Sequence, residues 1–532
     1  MSAPYSSAPQ RAVPHDRARG SRTMSFRAAD IPDATADSSI LRAAVLVTAV
    51  LAGMAAFAGM ATAIVGSMAG YRAIYYVAVL VLFAAGSLVT LTRKEPLRFA
   101  FLALIVCFPI VAAEIPPGRF ELTVFDAVMV ALTIGLIGKK LTGTATAFGS
   151  FFPTRSLLVA CLLMIPCIAF SQYPLGSAQD FIFNNLTVYI FFLFALAELK
   201  QEGGFERLVL VLSIVMIFMT IGLCADRFLH MNLSLRGSAL NQSTFTESGL
   251  TIYRAGGFFQ DPQKAGAYLA CMITFLLLLS VRGRFRGTRT RYLVGAAIAI
   301  GLGGLATTIS RSAILACLSV SAITLLAFNS WNAAVKLLIL GGVMAIAMSM
   351  ALMPTATWLN ILPTTVADRF VTLQEDLEIR RKIWFDTWDM FADHPLTGIG
   401  PGSFRPYLIE TQPTVLDHYG YGAEAGIGYI PDQPESGYLK VLYEGGILGS
   451  IAALLVAGDA LRRAMALVVS KYATPDARTE SVAALAGIIT FGTTFVTLYT
   501  PSDPRVAALV SFFLAVIWHR SLQLAQTKPT AN

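Results

Sequence analysis

The sequence predicts an all-α, polytopic membrane bundle of about 12–14 spanning helices that carries one large, partly helical loop on its outer face. Three observations predict it. The 532 residues are 55% hydrophobic and only 14% charged, with a mean hydropathy of +0.65. A soluble domain of this size has too much water-facing surface to be so apolar. Apolar runs recur along most of the chain, each near the roughly 20 residues that a crossing helix needs. Basic residues gather in every second link between those runs, as the positive-inside rule requires.

Residues 1–39 are rich in Ser, Ala, Pro and Arg and hold no apolar run, which reads as a disordered cytoplasmic tail. An N-terminal bundle of about 11 helices fills 40–353. Its runs lie near 43–67, 72–91, 97–113, 122–138, 155–171, 181–198, 207–227, 264–280, 292–309, 312–328 and 333–353. The large loop covers 354–436, the last spans lie in 437–519 with runs near 437–461, 481–499 and 506–519, and 520–532 form a second tail. With the Arg-bearing first tail inside, the inner links contain Arg93, Lys94 and Arg98, then Lys139 and Lys140, then Lys200 and Arg207. The stretch VRGRFRGTRTR from Arg282 to Arg291 follows, and after it Arg462, Arg463, Lys471 and Arg478. Outer links such as SQYPLGSAQD and YTPSDP are nearly free of basic residues. Both termini are therefore expected in the cytoplasm and the 354–436 loop outside. The net charge of +8 is explained by this topology and does not imply a nucleic-acid partner. All six cysteines lie in or at the ends of apolar runs, without a CxxC pair or metal-ligand spacing, and read as small hydrophobes.

Arginines on the outer side run against the topology rule, so Arg254, Arg311, Arg369, Arg380, Arg381 and Arg405 call for another reason. In the helix-like piece 373–393, Leu377, Trp384, Trp388 and Phe391 recur at helical spacing, with Arg381 on that stripe and Arg380 beside it. Such a helix would lie on the outer leaflet with its tryptophans at headgroup depth. Its guanidinium pair would grip a membrane-borne phosphate with paired hydrogen bonds. The competing reading is a loop helix packed on the bundle with solvated arginines. In YRAGGFFQDPQKAGAYLA, Arg254 precedes a Gly pair and Pro262 opens the next helix, where free amides attract an anion or simply make a helix start. In the tight hairpin TTISRSAILA, Arg311 stands at the mouth of two helices. Left unpaired at depth it would cost about 2–4 kcal/mol, so a partner, a water-filled cleft or snorkelling to the interface is expected.

ISRS at a helix top, the HPLTGIGPGSF turn in the outer loop and YLKVLYEGGILG opening the next helix, in that order, resemble the O-antigen ligase and polymerase-like (Wzy/WaaL-type) superfamily over roughly residues 250–460. The resemblance implies a metal-independent, cofactor-free, inverting glycosyltransferase of the bacterial inner membrane, with its loop in the periplasm. Its implied partners are the lipid bilayer, an undecaprenyl-pyrophosphate-linked glycan and other polysaccharide assembly proteins such as a flippase or a chain-length regulator. Polymerases of the family join repeat units; ligases move the finished chain to a lipid A-core. Ligases carry a His-Asn pair just before the stretch matching YLKVLYEGG, whereas this chain has Glu435 and Ser436, which favours a polymerase-like member.

Transfer from a lipid pyrophosphate needs an activated acceptor hydroxyl and a stabilised leaving group. A carboxylate serves the first need and arginines the second. The expected catalytic residues are Glu435 as base with Arg381 and Arg311 on the developing charge; Arg254, Arg380, Arg369, Trp384, Tyr438 and Gly400 are expected to bind pyrophosphate and sugar. Glu435 also suits a plain helix-dipole charge. Glu444 lies four residues after Lys440, so a local ion pair explains it. His394 reads as a structural histidine. A different class stays open, a lipid-linked oligosaccharide flippase or other transporter, which would carry ionisable groups deep in its helices. Here Asp126 is the main such residue and no internal repeat is evident. A non-catalytic scaffold for polysaccharide assembly is a third possibility.

Overall fold

The computed structural model describes residues 96–109, 123–141, 154–229, 233, 243–245, 251–259, 261–285, 287–328, 373–411, 433–497, 499, 501 and 503–527. These residues are overwhelmingly helical. In order they form α1 (Pro96–Val106), α2 (Val124–Leu141), α3 (Arg155–Ala169), α4 (Pro174–Asp180), a π-helix (Phe181–Leu186), α5 (Thr187–Leu199) and α6 (Gly204–Leu229). A short antiparallel pair, β1 (Ser243–Phe245) and β2 (Thr251–Tyr253), precedes α7 (Pro262–Val281), α8 (Thr288–Thr308) and α9 (Arg311–Phe328). Then come α10 (Leu373–Asp393), α11 (Phe404–Thr411), α12 (Gly437–Val469), α13 (Pro475–Thr494) and α14 (Pro504–Thr527).

Among the described residues, 7 helices are long and apolar enough to cross a membrane: Pro174–Leu199, α6, α7, α8, α9, α12 and α14. The runs expected at 43–67, 72–91 and 333–353 lie outside the described residues; the others fall on helices. The hydrophobic runs thus convert into a polytopic helical bundle, as their length demands.

Helix α7 is its axis. It starts at Pro262 behind an Asp261 N-cap whose side chain accepts from Gln263 N, and is buried along most of its length. Helices α8, α9, α13 and α14 pack around it. Small residues permit the closeness: a Cβ on Gly266 would stand 2.9 Å from Ser310 Cβ and 3.0 Å from Ala313 Cβ. Lipid supplies no hydrophobic drive between helices, so close packing of small residues takes its place. A second layer joins α12 to α3 and α14 to α5.

The two ends of the bundle differ in chemistry. At one end the basic links close into a network: Glu198 takes Arg98 at 2.5 Å and Arg207 at 2.9 Å. Arg284 bridges Glu206 and Glu480, both at 2.6 Å, and Arg520 meets Glu480 at 2.6 Å. Asp459 takes Arg462, Arg463 and the Ser156 hydroxyl. Among the described residues, the links that carry Arg98, Arg207, Arg284, Arg463 and Arg520, which the sequence assigns to one side, therefore form ion pairs at one end. Asp126, the candidate deep charge, instead accepts from Thr123 N at 2.9 Å and Thr123 Oγ1 at 2.6 Å, at the start of α2. That is an ordinary helix-start contact.

Candidate active site at the loop end of the bundle

At the other end, α12 is broken. Gly446 adopts φ 60°, ψ −159° inside the helix, and the HPLTGIGPGSF turn crosses the break. Ile399 N donates to Tyr443 O at 3.1 Å and Gly400 N to Glu444 O at 2.8 Å; in return Ile447 N donates to Pro395 O at 2.9 Å and Leu448 N to Leu396 O at 3.0 Å. Backbone groups freed by the break are thus paired with the loop, which is what an interrupted helix at membrane depth requires. Two glycines make the fit possible. Gly398 has φ 66° and a Cβ there would lie 2.4 Å from Glu444 backbone; a Cβ on Gly446 would lie 2.4 Å from Leu396 O.

This interlock seats Glu444. Its Oε1 accepts from Phe404 N, at the start of α11, at 3.0 Å and meets Lys440 Nζ at 3.2 Å; both residues of the ion pair are buried. The i,i+4 pair read from the sequence is present, but it is buried beside a cavity. That cavity, of about 320 Å3, runs between α3, the α4–π–α5 segment, α12 and α14. Its lining is mainly apolar, and Asp180, Glu444, Pro401 and Tyr499 mark its loop end. Lys440 Nζ sits 4.9 Å from the Tyr499 ring centroid. The π-helix lines the same space through Phe181 and Asn185; such irregular turns are frequent at functional sites.

Gly400 packs on protein here. A Cβ on it would stand 1.9 Å from Ser171 Oγ, within a serine cluster in which Ser171 and Ser177 hydroxyls are 2.6 Å apart and Ser177 and Ser403 hydroxyls 3.0 Å apart. His394 lies against Tyr407 and within 3.1 Å of Gln172 Nε2, as a structural histidine would.

Glu435, Arg380 and Trp384 come together. Arg380 Nη1 is 2.7 Å from Glu435 Oε2 and donates to Thr497 O at 3.0 Å, while Trp384 Nε1 donates to Glu435 O at 3.3 Å. They clamp α10 onto the start of α12, where Ser436 is the N-cap. Arg381 points elsewhere, over the Phe385 ring at 5.6 Å, and lines an open surface hollow with Trp384, Phe385 and Trp388. The buried side of α10 is Ile383, Thr387 and Met390, whereas Phe385 and Trp388 are exposed. The expected aromatic stripe is therefore split: protein contact falls on Ile383, Thr387 and Met390, and the large rings beside Arg381 face outward. Tyr438 donates its hydroxyl to Gly492 O at 2.8 Å and meets the Phe495 ring edge-on at 5.0 Å. Arg369 lies outside the described residues.

Arg254 and Arg311 belong to a second, basic group. Arg254 is buried and Nε donates to Thr308 O at 3.4 Å; Arg311 begins α9 three residues later. The Gly pair after Arg254 is tied down by Asp226, whose Oδ2 accepts from Gly256 N at 2.9 Å and Gly257 N at 2.7 Å. Buried Lys264 and Arg505 join this region. Arg505 bonds Asp503 through Nε at 2.8 Å and Nη2 at 2.5 Å, donates to Phe258 O at 2.9 Å and covers the Phe259 ring at 4.0 Å. Burial works against the Asp503 charge, yet Arg505 outweighs it and holds the carboxyl below the usual aspartate range. Sequence reasoning missed Arg505 by ending the outer link at Pro504; the signal was an arginine two residues after the Asp503 of a link with no other basic residue.

Among the described residues, Ile309 and Glu435 are the non-glycine residues at positive φ, 51° and 52°. One lies between Thr308 and Arg311, the other at the α10 clamp. Left-handed backbone at a β-branched residue is costly and clusters at functional sites.

Residues 296–454 match the O-antigen ligase family, Wzy_C. The match supports the O-antigen ligase/polymerase superfamily and takes in Arg311, the α10 clamp, the interlocking turn and Glu444. Arg254, Lys264, Asp180 and Arg505 lie outside it. It supports glycosyl transfer of the ligase or polymerase type in a multi-pass membrane protein. A search of curated proteins gave no match.

Proposed function

We propose that the chain is an inverting glycosyltransferase of the bacterial inner membrane that polymerises surface-polysaccharide repeat units from undecaprenyl-pyrophosphate-linked donors. One observation carries this reading. The matched family stretch ends in a loop-locked, broken helix with a buried carboxylate at an apolar cavity, and a buried basic group stands at the same end of the bundle. The segment from Thr497 to Arg505 joins the parts: Thr497 O accepts from Arg380, Tyr499 lines the cavity, and Arg505 bonds Phe258.

In this reading the lipid stays in the bilayer, Arg254 and Arg311 stabilise the leaving pyrophosphate, and Arg381 with the exposed Phe385 and Trp388 faces the headgroup layer. Preorganised cations in a site shielded from water act where charge develops. The basic network at the opposite end supports this sidedness: by the positive-inside rule that end belongs in the cytoplasm and the loop in the periplasm.

The test is deletion of the gene, followed by sizing of the lipid-linked glycans and probing of their sidedness in spheroplasts. Single repeat units stranded on the outer face support a polymerase. Long chains still on undecaprenyl pyrophosphate support the second reading, a ligase, which the description of the matched family favours and the Glu435–Ser436 pair disfavours. Units trapped on the inner face refute both and point to a flippase. In complementation, R254A or R311A, at normal membrane levels, is expected to cut polymer formation by about 10²-fold or more; full polymer from both refutes their role.

A further inference from the structure

The geometry points to Glu444, rather than Glu435, as the general base that activates the acceptor hydroxyl, an assignment that rests on the glycosyl-transfer reading. The two carboxylates differ in what their surroundings leave them to do. Glu435 spends its carboxylate on Arg380 at 2.7 Å and its carbonyl on Trp384 and Arg380, so its bonds hold α10 in place. Glu444 is fixed by backbone amides and a single ammonium: the Phe404 amide and Lys440 Nζ both meet Oε1, and the Gly402 amide also bonds the carboxylate. The residue lines the cavity. A base must be fixed in place and still reach substrate.

Displacement with inversion needs base and leaving group on opposite sides of the reacting carbon, and one short segment joins the cavity to the basic group. Tyr499 lines the cavity with Glu444, and Asp503 is bonded to Arg505 in the basic group. Asp503 follows Tyr499 by four positions, a reach of at most about 14 Å, which a sugar ring and a phosphate can bridge. Charged and titratable neighbours of Glu444 include Lys440 and Tyr443 on α12, Asp180 at the end of α4 and Tyr499 before α14. The cavity wall on α12 runs from Val441 to Val456, on both sides of the Gly446 break, and Trp518 of α14 lines the same space. Its apolar lining keeps bulk water from competing with the acceptor as nucleophile.

In the step, the acceptor hydroxyl passes its proton to a Glu444 carboxylate oxygen while its own oxygen bonds to the anomeric carbon of the donor. The anomeric C–O bond breaks, its electron pair leaves on the undecaprenyl pyrophosphate, and the configuration at that carbon inverts.

The test uses the full chain in nanodiscs with undecaprenyl-pyrophosphate-linked oligosaccharide extracted from a strain lacking the gene. Glu444→Gln keeps the side-chain shape and an acceptor for Phe404 N. It is expected to lower kcat by about 10²-fold or more with KM within threefold and unchanged elution on gel filtration. Glu435→Gln, which loosens the clamp, is expected to lose less than tenfold. Activity of Glu444→Gln within threefold of the parent, or a larger loss in Glu435→Gln, overturns the assignment. Should Glu444→Gln fail to accumulate, Glu444→Asp decides: a tenfold or greater loss at normal levels supports the base, and full activity overturns it. A parent chain that transfers no glycan refutes the glycosyl-transfer reading itself, and the base with it.

Discussion

At the scale of single residues, the site depends on where a side chain is missing. Gly446 holds φ 60°, ψ −159° and faces Leu396 O so closely that a Cβ would approach to 2.4 Å. Alanine there meets both a backbone that L-residues avoid and an immovable carbonyl. The strain alone is of order 1–3 kcal/mol. Gly446→Ala is therefore expected to lower the thermal midpoint of the detergent-solubilised protein and to abolish glycan transfer. Gly445→Ala, where a Cβ meets nothing within 4 Å, should keep the midpoint within a few degrees. An unchanged midpoint for Gly446→Ala would show that the turn does not lock the helix. None of this conformation was legible beforehand, because 437–461 reads as one unbroken apolar run and nothing local tells Gly446 from Gly445. Glu444 was passed over for a related reason. Its i,i+4 lysine exists and explains it fully on an isolated helix, and the cavity beside it is formed by α3, α5 and α14, far away in sequence.

Elements carried more of their own signal. Among the described residues, length and hydropathy placed the helices at the runs expected, since lipid forces each crossing to satisfy its backbone internally. The period of α10 was legible too, but not which side of it meets protein. Ile383, Thr387 and Met390 are buried, while Phe385 and Trp388 are exposed, because a helix at an interface has two apolar destinations and a periodicity argument knows one. What fastens α10 is the Arg380–Glu435 pair, partly covered on both sides. A double-mutant cycle on Arg380→Ala and Glu435→Ala, followed by thermal unfolding in detergent, is expected to give a coupling of about 1 kcal/mol. Additive effects within about 0.3 kcal/mol would mean that the contact holds nothing.

For the whole molecule the argument turns on sidedness, because a transferase fed by lipid-linked glycan must face the compartment where that glycan is delivered. The ion-paired network at Glu198, Arg284, Glu480 and Asp459 gathers the basic links at one end, and the interlocking turn, the α10 clamp and the basic group of Arg254 and Arg505 occupy the other. The positive-inside rule takes the links one at a time, and the meeting in space of those that carry Arg98, Arg207, Arg284, Arg463 and Arg520 is independent support for the threading. It predicts that a single cysteine at Asp389, on the exposed side of α10, in an otherwise cysteine-free chain reacts with a membrane-impermeant maleimide in intact spheroplasts. A cysteine at Lys471, exposed between α12 and α13, should react only after permeabilisation. The reverse pattern would turn the bundle over, put the candidate site in the cytoplasm and remove the basis for transfer at the outer face. Labelling at both positions in intact spheroplasts would mean an even number of crossings between them, contrary to the single passage of α12 that separates the clamp from the basic link.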